Sequence, residues 1–109
     1  MKIAIAQINT LLGDLAGNAA KIADYANRAK EQGAAILLTP EMSLCGYPPE
    51  DLLLRDGFYR ACDDALHELA RQAQHIILVV GHPHKVGKDY FNAASVLRDG
   101  RIVAIYHKH

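Results

Sequence analysis

No apolar run in this 109-residue sequence approaches the roughly 18–20 residues that a membrane-crossing helix needs. Neither sign of charge is in excess, since twelve Lys+Arg face twelve Asp+Glu alongside six His. A balanced chain without a basic stretch is a poor match for nucleic acid or an anionic membrane, and neither is expected as a partner. There are only two cysteines, Cys45 and Cys62, too few for a disulfide framework. The opening Met1-Lys2-Ile3-Ala4-Ile5 turns polar at Gln7, too soon for the apolar core of a secretory signal. Neither Gly-x-Gly-x-x-Gly nor a P-loop occurs, so Gly81, Gly87 and Gly100 form no phosphate-binding pattern. Repeats and low-complexity stretches are missing too. What remains is 50% hydrophobic and 22% charged, ample for one packed core and at most one domain. These bounds predict a cytoplasmic α/β polypeptide.

Residues 3–8 are short, apolar and β-branched, as a buried strand would be. Gly13 and Gly17 mark a loop, after which Asn18 is expected to cap a helix whose buried stripe is Ile22, Ala26 and Ala29. Gly33 is the expected left-handed stop. Ala34–Leu38 reads as the next strand, parallel to the first and joined to it by a right-handed crossover. Pro40, Gly46, Pro48 and Pro49 then forbid a continuous helix or central strand. A second helix starts at Asp56 or Gly57, with Phe58, Ala61, Cys62, Ala65, Leu66 and Leu69 at helical spacing. Residues 76–80 read as a buried strand ending at Gly81. Asp99-Gly100 predicts a two-residue hairpin turn between Phe91–Arg98 and Arg101–Lys108. In that register Leu97 faces Ile102, Val96 faces Val103 and Phe91 faces Lys108. Apolar residues on both sides of this hairpin predict that both are covered. A strand-like segment at the very end is a poor place for a domain to finish, which predicts a fragment.

Among groups that could do chemistry, Glu41 follows the strand Ala34–Leu38 at its C-terminal end, where ligands of α/β sheets usually bind. Pro40 fixes φ and keeps Thr39 extended, so the carboxylate has a stiff support and could act as a general base. The plainer reading is a solvated loop carboxylate. Lys108 shares the expected hairpin face with Ile102, Ala104 and Tyr106, a poor setting for a charge unless a carboxylate or substrate lies opposite. It could stabilise a developing oxyanion, or simply snorkel from a strand end. His82-Pro83-His84 and His107-Lys108-His109 could offer paired imidazoles to a metal. No acidic or thiol ligand stands at a fitting spacing, so no metal site is expected and the histidines read as surface or loop residues. Cys62 lies on the second helix's apolar stripe and reads as core. Cys45 could be partly accessible, but no helix N-terminus or fixed cation is evident beside it to lower its pKa, and small buried filler is the plainer reading.

The order of these signals resembles one family. Lys2-Ile3-Ala4-Ile5-Ala6-Gln7-Ile8-Asn9 is similar to the first strand of the nitrilase, or carbon–nitrogen hydrolase, superfamily. The spacing from Gly13-Asp14 through Asn18 agrees. Pro40-Glu41 matches the motif carrying that superfamily's general-base glutamate, and Tyr106-His107-Lys108 after Asp99-Gly100-Arg101 looks like its lysine strand. Within the superfamily, Gly46-Tyr47-Pro48-Pro49-Glu50-Asp51-Leu52-Leu53 resembles the glutaminase domain of the glutamine-dependent NAD synthetase family, as do Gly81-His82-Pro83 and Tyr90-Phe91-Asn92-Ala93-Ala94.

That resemblance implies an α-β-β-α sandwich, of which residues 1–109 would be the N-terminal part: a mixed sheet with covering helices. It also implies a Glu-Lys-Cys triad, with Glu41 as base, Lys108 as oxyanion stabiliser and Tyr47 helping to shape a glutamine pocket. The family's nucleophilic cysteine follows the lysine strand, so neither Cys45 nor Cys62 corresponds to it. The piece alone is expected to be inactive. The implied substrate is L-glutamine. The ammonia would go to nicotinic acid adenine dinucleotide, with ATP and Mg at a separate synthetase domain of a homo-oligomeric enzyme. No cofactor is expected within residues 1–109. Another carbon–nitrogen hydrolase acting on a small amide, or an inert assembly module, stays open as an alternative.

Overall fold

The computed structural model describes residues 1–46 and 54–108, apart from the Asp56 side chain. Tyr47 lies outside the described residues. The elements run β1 (Ile3–Ile5), α1 (Leu15–Glu31), β2 (Ile36–Leu38), α2 (Asp56–Gln72), β3 (Ile77–Val86), β4 (Asp89–Arg98) and β5 (Arg101–Lys108). The strands form one sheet in chain order, β1-β2-β3-β4-β5. β1, β2 and β3 are parallel, while β4 and β5 are antiparallel to their neighbours, so the sheet is mixed.

α1 begins four residues earlier than Asn18 predicts. Asp14 is its cap, accepting from Gly17 N, and Asn18 is buried inside the helix. Asn18 instead closes an internal tie: its Oδ1 accepts from Leu11 N, and its Nδ2 donates to the carbonyls of Leu11 and Leu44. Gly33 does take a left-handed φ of 85° just beyond the helix. α2 buries Phe58, Cys62, Leu66 and Leu69 as its spacing predicts, with Tyr59, Ala70 and Ala73 beside them, whereas Ala61 is exposed.

The first strand is shorter than its apolar run, Ile3–Ile5 rather than 3–8. β3 is longer, continuing through His82-Pro83-His84 to Val86 instead of ending at Gly81. Pro83 is tolerated because β2 pairs with β3 only as far as Val79. Gly81 N and O point toward Thr39 and Leu44, away from β4, and Pro83 shares that direction two residues on, where no strand follows. The missing N–H therefore leaves no ladder bond unmade. A hairpin between β3 and β4, turning at Gly87-Lys88, escapes the sequence reading altogether.

Asp99 and Gly100 both take positive φ, 53° and 83°, as a type I′ turn requires. Leu97 faces Ile102 as expected, but the register then shifts: Val96 pairs with Ala104, and Asn92, not Phe91, pairs with Lys108. Val103 is the extra residue of a β-bulge. A one-residue slip exchanges the faces of a strand. Ile102 thus stays on the side of Leu97, while Ala104, Tyr106 and Lys108 move to the side of Val96, Ala94 and Asn92.

Both helices pack on one side of the sheet. There Leu37, Leu78, Val80 and Leu97 are buried with Ile22, Leu66 and Leu69 in one core. His82 is buried on this side too, not in a loop, its Nε2 at 2.6 Å from Ser95 Oγ and its Nδ1 at 3.0 Å from Pro83 O. The opposite side is open among the described residues: Ile5 is 74% and Tyr106 65% exposed. The expected cover on both sides of the last hairpin is therefore not what is found. None of the described helices is long and apolar enough to cross a membrane.

Candidate active site

The chain leaves β2 through Thr39-Pro40 into a tight turn, residues 41–45. Thr39 anchors it twice to Val79 O, through its N–H at 3.0 Å and its hydroxyl at 2.9 Å. Ser43 Oγ lies 2.7 Å from Thr39 Oγ1, Ser43 N donates to Pro40 O, and Leu44 N donates to Gly81 O. Met42 takes a left-handed φ of 55°, a costly conformation for a side chain of its size, which this network holds in place.

Gly81 is where the turn meets the sheet. A Cβ built there would stand 2.6 Å from Pro40 O, 2.7 Å from Met42 N and 3.0 Å from Glu41 Cα. Only hydrogen at this position lets the backbone that carries Glu41 lie against β3. Asn18, bonded to Leu44 O, ties the other end of the turn to α1.

Glu41 is thereby held on the open side of the sheet, and the bulge at Val103 delivers Lys108 to the same side. Lys108 Nζ donates to Glu41 Oε2 at 2.9 Å across 67 residues of sequence. The Glu41 side chain is 37% and that of Lys108 61% exposed, so the pair contributes only about 0–1 kcal/mol to stability. Its significance is chemical. A proton acceptor and a cation sit side by side in a cleft of about 240 Å³, with Leu38, Val79, Gly81 and Asn92 among its walls. A larger groove of about 460 Å³ between α1 and α2 is lined mainly by alanines with Asp64 and Glu68, and offers no nucleophile among the described residues.

The other candidates fall elsewhere. Cys45 and Cys62 are both fully buried free thiols, Cys45 hydrogen-bonding to Gly46 O at 3.0 Å. The hydrogen bond it shares with Cys45, together with burial, pushes the Cys62 thiol far above its ordinary range. A protonated, sealed thiol is no nucleophile, and Cys45, whose pKa the same hydrogen bond lowers, is sealed from substrate by burial. His84 Nδ1 lies 2.8 Å from His107 Nε2, and Phe91 stacks on the His107 ring, on the helix side of the sheet. Among the described residues no group of three or more His, Cys, Asp or Glu gathers to hold a metal ion. Sequence reasoning passes over Gly81 and Asn92 as parts of this cleft. The parity of Asn92 with Lys108 would have flagged it, had the bulge been visible.

The profile of the carbon–nitrogen hydrolase family matches residues 2–109. The chain belongs to the carbon–nitrogen hydrolase family. It is 45% identical over 109 residues to the glutamine-dependent NAD(+) synthetase of Xanthomonas campestris pv. campestris, covering 99% of this chain but 20% of that relative. The crystal structure of a glutamine-dependent NAD(+) synthetase from Cytophaga hutchinsonii superimposes with a TM-score of 0.91 at 26% identity, over 97% of this chain and 18% of that one. An amidase from Nesterenkonia sp. AN1 gives a TM-score of 0.81 at 33% identity, over 99% of this chain and 44% of that one. Its structure shows the result of Michael addition of acrylamide at the active site cysteine. The mixed sheet with its two helices thus matches part of the nitrilase fold of these synthetase and amidase structures. The chain spans about one fifth of the length of the synthetases that it matches.

Proposed function

We propose that residues 1–109 form the N-terminal part of a glutaminase domain, supplying two of three catalytic groups for hydrolysis of the glutamine side-chain amide. The observation that carries this reading is the contact between Glu41 and Lys108 in one cleft. The third group is a cysteine outside residues 1–109, in keeping with the active site cysteine named for the related amidase.

A free thiol, with a pKa near ~8.5, is mostly protonated at neutral pH and needs a base. Glu41 takes its proton as sulfur attacks the carboxamide carbon. The Lys108 ammonium then faces the oxygen on which negative charge develops. As the tetrahedral intermediate collapses, the C–N bond breaks and Glu41 returns the proton to the departing ammonia. Glu41 next takes a proton from water, whose oxygen attacks the thioester carbon; as the C–S bond breaks, Glu41 returns that proton to sulfur and glutamate leaves. An oxyanion-stabilising donor of this kind contributes about 2.7–4 kcal/mol. Tyr47, outside the described residues, is proposed to shape the pocket for the rest of glutamine.

The names of the relatives extend the reading to ammonia supply for ATP-dependent amidation of nicotinic acid adenine dinucleotide in the cytoplasm, by a homo-oligomer. That step is assigned to a separate synthetase domain outside residues 1–109. The test is ammonia release from L-glutamine. The intact polypeptide containing this chain should release it, and residues 1–109 alone should not. Turnover by the 109-residue piece, lost on Cys45→Ala, would overturn the assignment. Hydrolysis of small aliphatic amides in preference to glutamine would favour the amidase-like alternative.

A further inference from the structure

Asn92 stands on β4 directly opposite Lys108 on β5 and lines the same cleft. Its Oδ1 is sealed from solvent and accepts no hydrogen bond from the described residues. Buried acceptors without donors are rare in native proteins because each forfeits its solvation for nothing. A sealed atom is closed to a ligand entering the cleft, so the donor must come from a neighbouring side chain. The hydroxyls of Thr39 and Ser43 are engaged within the turn. An ammonium carries three N–H donors and can serve several acceptors at once; Glu41 is one of those that Lys108 meets. Side chains directly opposed on paired strands stand with Cβ atoms about 4.5–5.5 Å apart, well within a lysine's reach.

We propose that Asn92 is a positioning residue for Lys108: its Oδ1 receives an ammonium N–H as that ammonium turns from Glu41 toward the oxygen of a bound primary carboxamide. This rests on the amide hydrolysis proposed above. In that reaction Glu41 gains a proton and loses its charge, so Lys108 loses its counter-ion at the moment the oxyanion forms. A neutral dipole on the opposite strand keeps the ammonium charged and aimed without competing as an anion. Asn92 itself transfers no proton and touches no substrate.

The test uses the intact polypeptide with L-glutamine, comparing Asn92→Ala, Asn92→Asp and Lys108→Ala. Asn92→Ala should lower kcat about 10²-fold, the scale of a misaimed catalytic group, with KM within about threefold of the parent. It should also move the alkaline limb of the kcat/KM profile to lower pH, because the ammonium has lost a stabilising acceptor. Asn92→Asp retains an oxygen there and adds charge, so the limb should move to higher pH. Since Asp is nearly isosteric, that shift alone decides the matter if the alanine chain fails to fold. A raised KM with unchanged kcat would put Oδ1 on the substrate, and limbs fixed in both variants would leave Asn92 a packing residue; either overturns the inference alone. A parent without glutaminase activity, or Lys108→Ala as fast as the parent, would take the hydrolysis reading down with it.

Discussion

The two sides of this one sheet do different work. On the helix side, Leu37, Leu78, Val80 and Leu97 are sealed under Ile22, Leu66 and Leu69, and the buried imidazole of His82 has partners on both ring nitrogens. On the open side, Ile5 and Tyr106 face solvent, a carboxylate and an ammonium share an exposed contact, and Asn92 keeps an acceptor without a donor among the described residues. Closed apolar packing makes the first side a source of stability. A carboxylate and an ammonium brought together on a rigid support make the second side a place for chemistry.

The comparison breaks if substitutions on the two sides act alike. In the intact polypeptide, Glu41→Gln and Lys108→Ala should each cut glutamine hydrolysis at least about 10³-fold, the range for losing a general base or an oxyanion donor. Their unfolding midpoints should hardly move, since an exposed ion pair contributes about 0–1 kcal/mol. Denaturant unfolding and steady-state kinetics on the same samples check both halves.

Leu66→Ala on the helix side should cost about 2–5 kcal/mol of stability, with kcat kept below the unfolding midpoint. Tyr106→Ser on the open side should change stability within about 0.5 kcal/mol, as exposed positions do. A Tyr106 effect as large as that of Leu66 would show a second layer covering this side in the intact protein. Gly81→Ala tests the joint between the two sides. Its Cβ would push on Pro40 and Met42, displacing Glu41, and a loss of about 10²-fold in kcat is expected. A parent-like rate would mean the turn can yield without moving its carboxylate.

The smallest effect concerns His82. Burial disfavours its imidazolium and lowers its pKa from the ordinary 6.5, outweighing the opposing pull of its bond to Pro83. A histidine depressed on folding binds fewer protons in the native state than in the unfolded one. Its contribution is therefore full above about pH 6.5 and is lost as pH falls through the folded-state value. Denaturant midpoints at pH 7.5 and 5.5 should show the decline, and His82→Gln should flatten it.

How much of this was readable in advance follows from the kind of signal each element carries. α2 and the Asp99-Gly100 turn were legible because helical spacing and positive-φ residues are local properties. The pairing of Glu41 with Lys108 was legible only through resemblance, since no periodicity links positions 67 residues apart. Asn18 misled because a capping residue type was being used for a buried tertiary tie. Pro83 misled because its tolerance depends on where a neighbouring strand stops. The bulge at Val103 left no mark in the sequence, yet it decides which face Lys108 occupies. A regular ladder would have put that lysine under the helices, away from Glu41.

That Glu41 and Lys108 act as one unit is tested most directly by a double-mutant comparison of kcat/KM for glutamine in the intact polypeptide. With Glu41→Gln, Lys108→Ala and the pair together, the double variant should lose no more than about the worse single, as groups serving a common step do. Losses that multiply, or a single variant as fast as the parent, would contradict a shared site.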